Sequence, residues 1–280
     1  MDCTDKQCSE AVSHLKRAKV IQLFDRDRDK LEDFKGIANV DDEKEVFNVV
    51  KPGYEIVQHE DMVSGIYQAL DELGEKYTMD IQEVGDKGAR IHATVTFPDI
   101  TTDIEYGGKK DPVCLQTDWD NSYDSTTGVR GSFGAFRLIC TNGLTIGEKY
   151  ANYYHRHTKG IDYREVKKTI MVGADVFKEK VVQKFNQWAR ETMTPIEMSA
   201  MLDLWIKEKF MAAKYLQHAQ NLLQAGTSIT QGNLDYNNKW LFYNLLTEVV
   251  THTVKTIDTR RRYGTLVSQR FNSMQRAQNT

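Results

Sequence analysis

Polar and apolar positions along this chain repeat with one period before Asn142 and with another after it. In "KYTMDIQEV", Tyr77, Met79 and Ile81 alternate with Thr78, Asp80 and Gln82. In "ARIHATVTF", Ile91, Ala93, Val95 and Phe97 alternate with polar partners, and "GDKG" offers a turn between the two runs. A period of two belongs to half-buried strands, so this stretch predicts a β-hairpin. Further strands are expected at 113–119 and 134–140, joined by the turn-rich "DNSYDSTTG". Ahead of the hairpin, Tyr54 to Val57 reads as a short strand. Met62, Ile66, Leu70 and Leu73 then recur at helical spacing up to Gly74, a helix stop. No helix separates the strands, so the sheet is expected to be antiparallel.

Past Asn142 and Gly143 the period lengthens. A short helical piece is expected around Tyr150, Tyr153 and Tyr154. A longer helix follows, placing Val166, Ile170, Val176, Val181, Phe185 and Trp188 near one face. "TPIEMSAMLDLWIKEKF" opens with a capping box of Thr194 and Glu197, with Pro195 at the first helical position. "NKWLFYNLLTEVVTHTV" is the last strong helix. Residues 1–50, with a helix around Ala11 to Phe24 followed by "DRDRDKLEDFKG" and "DDEKE", read as a helical, charged arm suited to contact with a neighbouring subunit. The pattern thus predicts an α+β protein. Residues 51–150 form a core with an antiparallel sheet of about four strands and flanking helices; residues 151–280 form a helical half that packs on the sheet and ends in a basic tail.

Charge alters this picture more than bulk composition does. The net charge of −3 conceals an asymmetry: residues 1–126 hold 28 acids against 15 bases, and residues 127–280 hold 12 acids against 22 bases. The first part is therefore −13 and the second +10, which points to an anionic partner for the second. No run approaches the roughly 18 apolar residues of a membrane span, and the N-terminal stretch lacks signal-peptide character, so a cytoplasmic protein without membrane contact is expected. The four cysteines are too few for a disulfide scaffold and are expected to be reduced.

The stretch "SYDSTTGVRGSFGAFRLICTNG" concentrates arginines and rings. Strand alternation puts Phe136, Leu138 and Cys140 on one face and Phe133, Ala135, Arg137 and Ile139 on the other, with Arg130 arriving from a glycine-rich loop. A ring beside a guanidinium is how single-stranded nucleic acid is commonly held. Arg156, Lys159, Arg164, Lys167 and Lys168 extend the positive run, and Arg260, Arg261 and Arg262 form a second cluster. Plain packing and solvated helix faces are the alternative reading of both. His155 and His157 form an HxH pair without a second ligand motif, and no metal site or cofactor is assigned. Phosphate-loop, dinucleotide-binding, zinc-protease and serine-hydrolase signatures are absent. Asp118, Asp120 and Asp124 could hold magnesium in a nuclease, or could simply be turn residues.

"NSYDST", "FRLICTNGL" and "LFYNLLTEVVTH" resemble three blocks of a phage- and plasmid-borne family of unknown function, domain of unknown function 932. The likeness covers about residues 51–260. It falls on Asn121, Ser122 and Asp124, on Arg137, Cys140, Asn142 and Leu144, and on Asn244, Thr247, Glu248 and His252. The chain departs at Ser125, where the family tends to have glycine, and at Thr251, where it often has aspartate. The resemblance implies a mobile-element origin and a fold rather than a reaction. Element order is also similar to the core of Rad52-like annealing proteins, an analogy of architecture alone. Asn244, Glu248 and His252 recur every four residues and, with Asn142, suit a polar network docking the late helix on the sheet.

These readings combine into one expectation: a non-enzymatic, homo-oligomeric protein that binds single-stranded DNA or RNA in a bacterial host. A metal-dependent nuclease and a protein-binding module are the alternatives.

Overall fold

The computed structural model describes residues 6–137, 142–145, 152–158, 162–228, 232–233 and 237–278. Its contacts divide the chain into two compact units. Unit 1 comprises Met1–Thr96, Thr117–Ser132 and Ala151–Val172; unit 2 comprises Phe97–Gln116, Phe133–Tyr150 and Gly173–Thr280.

Unit 1 begins with helix α1 (Lys6–Val12) and a three-stranded antiparallel meander of β1 (Ala18–Phe24), β2 (Lys30–Asn39) and β3 (Val46–Val50). The helix expected from Ala11 to Phe24 is therefore mostly strand. "AKVIQLF" and "VFNVV" are rich in β-branched and aromatic residues, which favour strands. The charges between them occupy turns and the exposed face, so they are solvated within a sheet rather than along a loose arm. The inner ends of these strands pack a small core of Ala18, Ile37, Val50 and Tyr123. Cys8 is disulfide-bonded rather than reduced, while Cys114 is a buried free thiol.

Tyr54 to Val57, expected as a strand, has no regular structure; its main chain bonds elsewhere, Glu55 N donating to His157 O at 2.7 Å. Helix α2 (His59–Leu73) follows and ends as its sequence requires. Gly74 takes a left-handed φ of 69° and donates its N–H to the carbonyls of Leu70 and Asp71.

The main sheet has six strands, where about four were expected. β4 (Thr78–Val84), β5 (Arg90–Tyr106), β6 (Lys109–Ser122), β7 (Val129–Arg137) and β8 (Asn142–Thr145) lie in that order, and β9 (Asn152–His155) also pairs with β7. The predicted hairpin is β4–β5, in register from Thr78↔Thr96 to Val84↔Arg90. β9 replaces the short helix expected around Tyr153 and Tyr154. In unit 1 the strand period puts Ile91, Ala93, Val95, Trp119, Val129 and Tyr153 in the interior. Gly131 lets Trp119 lie flat on the strand, since a Cβ there would sit 2.5 Å from the indole.

From Gly173 onward unit 2 is helical apart from a short antiparallel pair of strands, Thr227–Ser228 with Gly232–Asn233. Helix α3 (Tyr163–Val176) runs through a π-helical turn, Phe177–Val181, into α4 (Val182–Arg190). Phe177, about two α-helical turns after Ile170, lies on the same face and is buried, whereas Val176 beside it is half-buried. α5 (Pro195–Lys207) carries the expected capping box: Thr194 and Glu197 exchange side-chain and main-chain hydrogen bonds. α6 (Ala213–Ala225), α7 (Lys239–Thr253) and α8 (Ile257–Gln278) complete the unit, with α7 packed against α4, α6, α8 and β8. Every residue of α7 from Lys239 to Val250 is buried, as expected of a helix apolar on nearly all sides. Phe185, Trp188, Trp205 and Phe271 pack with Trp240, Phe242 and Tyr243 of α7, mostly at tilted angles, with centroid separations from 4.6 Å for Phe185 and Trp240 to 6.1 Å for Trp240 and Tyr243.

Candidate functional site

Residues that alternate with the core of unit 1 occupy the opposite face of its sheet and are polar: His92 and Thr94 on β5, Asp118 and Asp120 on β6, Arg130 and Ser132 on β7. His92, Thr94, Asp118, Asp120 and Arg130 form one hydrogen-bonded set. His92 Nδ1 lies 3.1 Å from Asp120 Oδ1, and its Nε2 lies 3.1 Å from Thr94 Oγ1, which donates to Asp118 Oδ1 at 3.0 Å. Arg130 donates from Nε at 3.3 Å and from Nη2 at 3.1 Å to Asp120 Oδ2. Asp120 is 6 % exposed, and a carboxylate so buried needs compensation; it receives the imidazole on one oxygen and the guanidinium on the other. Arg130 is 47 % exposed at its side chain, so its fork is braced at one end and open to solvent at the other.

Opposite Arg130 in the antiparallel β7–β9 register stands Tyr154, 60 % exposed. Directly opposed residues project from the same face, so a solvated phenol ring and a braced guanidinium are neighbours. Arg156, just past the end of β9, is exposed. Tyr154 was missed in the sequence because "ANYYH" was read with a helical period; the alternation of exposed Tyr154 with buried Tyr153 was the available signal. Arg130 was expected in a loop and is on the strand itself, whereas His92 and Thr94 were visible only as the polar half of an alternating run.

The other expected residues are distributed as follows. Phe133 and Arg137 lie on β7 and Asn142 on β8, where the structure describes the backbone. Lys159 lies outside the described residues. Arg164 is exposed and pairs with Asp162 at 3.2 Å; Lys167 pairs with Glu72 at 2.6 Å; Lys168 is exposed. These belong to unit 1. Arg260, Arg261 and Arg262 belong to unit 2, where Arg260 donates twice to Val254 O and closes the end of α7, and the Arg262 guanidinium sits 5.0 Å from the Tyr263 ring centre. Asp124 does not join Asp118 and Asp120. Its Oδ1 accepts from Thr126 N at 3.0 Å and its Oδ2 faces Arg90 Nε at 3.4 Å. Among the described residues no three His, Cys, Asp or Glu side chains are arranged to hold a metal.

The inner side of the same sheet carries a second set. Asn121, fully buried, donates from Nδ2 to Val57 O at 2.9 Å and approaches His59 Nδ1 at 3.0 Å. His59 Nε2 lies 3.3 Å from Gly88 O, and its ring stacks on Tyr123 at 3.8 Å. The Tyr123 hydroxyl donates toward Lys16 O and Gln58 Oε1 and accepts from His59 N. Burial drives the His59 pKa down to about 3 and that of His157 to about 4, and it raises the phenols of Tyr123 and Tyr54. Ser122 Oγ donates to Thr127 O at 2.7 Å and accepts from Thr127 N, closing the turn that Asp124 organises. Ser125, in that turn, has a left-handed φ of 59°, the conformation glycine adopts without strain.

On α7, Asn244, Thr247 and Glu248 are each 1 % exposed, while His252 is exposed in the last turn. Asn244 Nδ2 donates to Trp240 O at 2.9 Å and Thr247 Oγ1 to Asn244 O at 3.0 Å, so these bonds stay within the helix.

An antiparallel meander and a six-stranded sheet with a helical second half, the sheet pairing a polar face with a hydrogen-bonded interior, define an α+β protein whose most built polar cluster lies on strands. The model of the family described as Domain of unknown function (DUF932) matches residues 46–277, and the chain belongs to that family. No curated protein and no solved structure matches it. Among the described residues, no helix is long and apolar enough to cross a membrane.

Proposed function

We propose that the protein binds single-stranded nucleic acid, without chemical turnover, on the polar face of its sheet, and that it does so as a homo-oligomer in the cytoplasm of a bacterial host of phages or plasmids. One observation carries the reading: the exposed Tyr154 ring directly opposite the braced Arg130 on adjoining strands. A base can stack on the phenol while the free edge of the guanidinium meets a phosphate, and neither contact depends on sequence. Asp120 and His92 favour this by holding Arg130 in place before a ligand arrives. Arg156 and Lys168 add exposed positive charge in the same unit.

Fluorescence polarisation with labelled single-stranded DNA and RNA at low salt tests it. Binding should weaken steeply as salt rises. Tyr154→Ala should lower affinity about tenfold, within the usual range for one stacked base. Arg130→Gln should weaken binding and flatten the salt dependence by about one phosphate contact. Absence of binding at low salt, or binding indifferent to both substitutions, overturns the reading.

A further inference from the structure

β1 is an edge strand, since the meander runs in the order β1-β2-β3. Main-chain groups of successive strand residues point alternately to either side. At Ala18 they point away from β2, because the Gln58 side chain binds both: Ala18 N donates to Gln58 Oε1 at 3.0 Å and Gln58 Nε2 donates to Ala18 O at 2.7 Å. By the same period the N–H and C=O of Val20 and Gln22 point outward, and among the described residues no strand meets them. The side chains beside this edge are apolar and solvated, Val20 at 50 % and Phe24 at 60 %. Proteins usually blunt such an edge with lysine, proline or a covering segment. The one charge within β1, Lys19, is turned to Glu43 at 2.8 Å.

We propose that this edge pairs with β1 of a second copy of the chain, antiparallel across a two-fold axis, with Ile21 opposite Ile21. Gln58 closes the ladder at Ala18, and the register shifts between Gln22 and Phe24, so only Val20 and Gln22 are fully available. Setting Val20 of each copy against Gln22 of the other uses both residues, each pair exchanging its two hydrogen bonds. Shifting the register by two residues either way loses one of those pairs. The same placement sets Lys19 against the uncharged Leu23, so no like charges face each other across the ladder. The two meanders become one continuous sheet, and the contact closes on itself as a two-fold interface does. β1 and β2 precede residue 46, where the family match begins.

Sedimentation velocity of the full chain over a range of concentrations reads the equilibrium. Wild type should pass from monomer to dimer. Val20→Lys, at an exposed position that leaves the β1–β2 bonds intact, should weaken dimerisation at least tenfold with an unchanged circular dichroism spectrum. Ile21→Cys should cross-link to itself under mild oxidation, because residues on the axis form a close pair with Cα atoms about 4.5 Å apart; Gln22→Cys should not. A wild type that stays monomeric, a Val20→Lys variant that associates like wild type, or self-cross-linking at position 22 instead of 21 would each overturn the proposal.

Discussion

Units 1 and 2 fill their interiors with different materials. In unit 2 seven packed rings, three of them on α7 itself, fill the space on and around that helix, and its buried polar groups bond within the helix or in isolated pairs: Asn244 to Trp240 O, Trp240 to Asp111 at 2.9 Å, Tyr243 with Ser268 at 2.8 Å, and Lys239 with Glu191 at 2.9 Å. In unit 1 the residues nearest the candidate site hold one another by directed bonds, Asn121 to Val57 and His59, Tyr123 to Gln58 and Lys16. Dispersion and apolar burial are tolerant of small displacements, whereas a hydrogen-bonded interior loses a partner outright when one atom is removed. Unit 2 is thus built for bulk stability. Unit 1 is built to hold particular strands in a particular register, which is what a binding face on those strands requires.

Substitutions that separate volume from bonding sharpen this contrast. Trp205→Ala should cost about 4 kcal/mol in urea unfolding, while Trp205→Phe keeps most of the packing and costs much less. Asn121→Ala should cost about 3 kcal/mol, and the bulkier Asn121→Leu should recover none of it, because Val57 O and His59 stay unsatisfied in both. A neutral Asn121→Leu would break the comparison.

Acid should act through unit 1. His59 and His157 are held neutral by burial, with pKa values of about 3 and 4, against about 6.5 when unfolded. As pH falls below about 6.5 the unfolded chain takes up protons that the folded chain refuses, so stability is full above that pH and declines from there toward pH 4. A loss on the order of 3 kcal/mol is expected between pH 6.5 and pH 5, read from urea midpoints. His157→Phe should roughly halve that loss.

The smallest effect is expected in the turn after β6. Ser125 holds its left-handed backbone at a cost of about 1 kcal/mol, partly offset by the hydrogen bond it accepts from Asn48 at 2.8 Å. Ser125→Gly should raise the melting temperature by about 1 °C. A fall of several degrees would show that the serine hydroxyl, rather than the backbone, governs this turn.

Several elements were legible because their signals are local. α2 with its Gly74 stop, the β4–β5 hairpin and the Thr194–Glu197 capping box each depend on residues a few positions apart. The misread elements had two competing local signals. In residues 18–50 a high charge density overrode β-branched runs, and around Tyr153 a string of aromatics masked a period of two. The candidate site was half legible. Arg130 and Arg156 stood out as cations, but the bracing by Asp120 and His92 joins β5, β6 and β7, and the ring opposite Arg130 comes from β9.

By itself the sequence determined the α+β class, the order of most helices and the family, because hydrophobic period, caps and short motifs are properties of neighbours along the chain. Tertiary structure decided which unit each stretch joins, which face of the sheet is polar, and that Tyr154 stands opposite Arg130. Those outcomes follow from strand register, and register is set by pairing between residues that the chain keeps far apart.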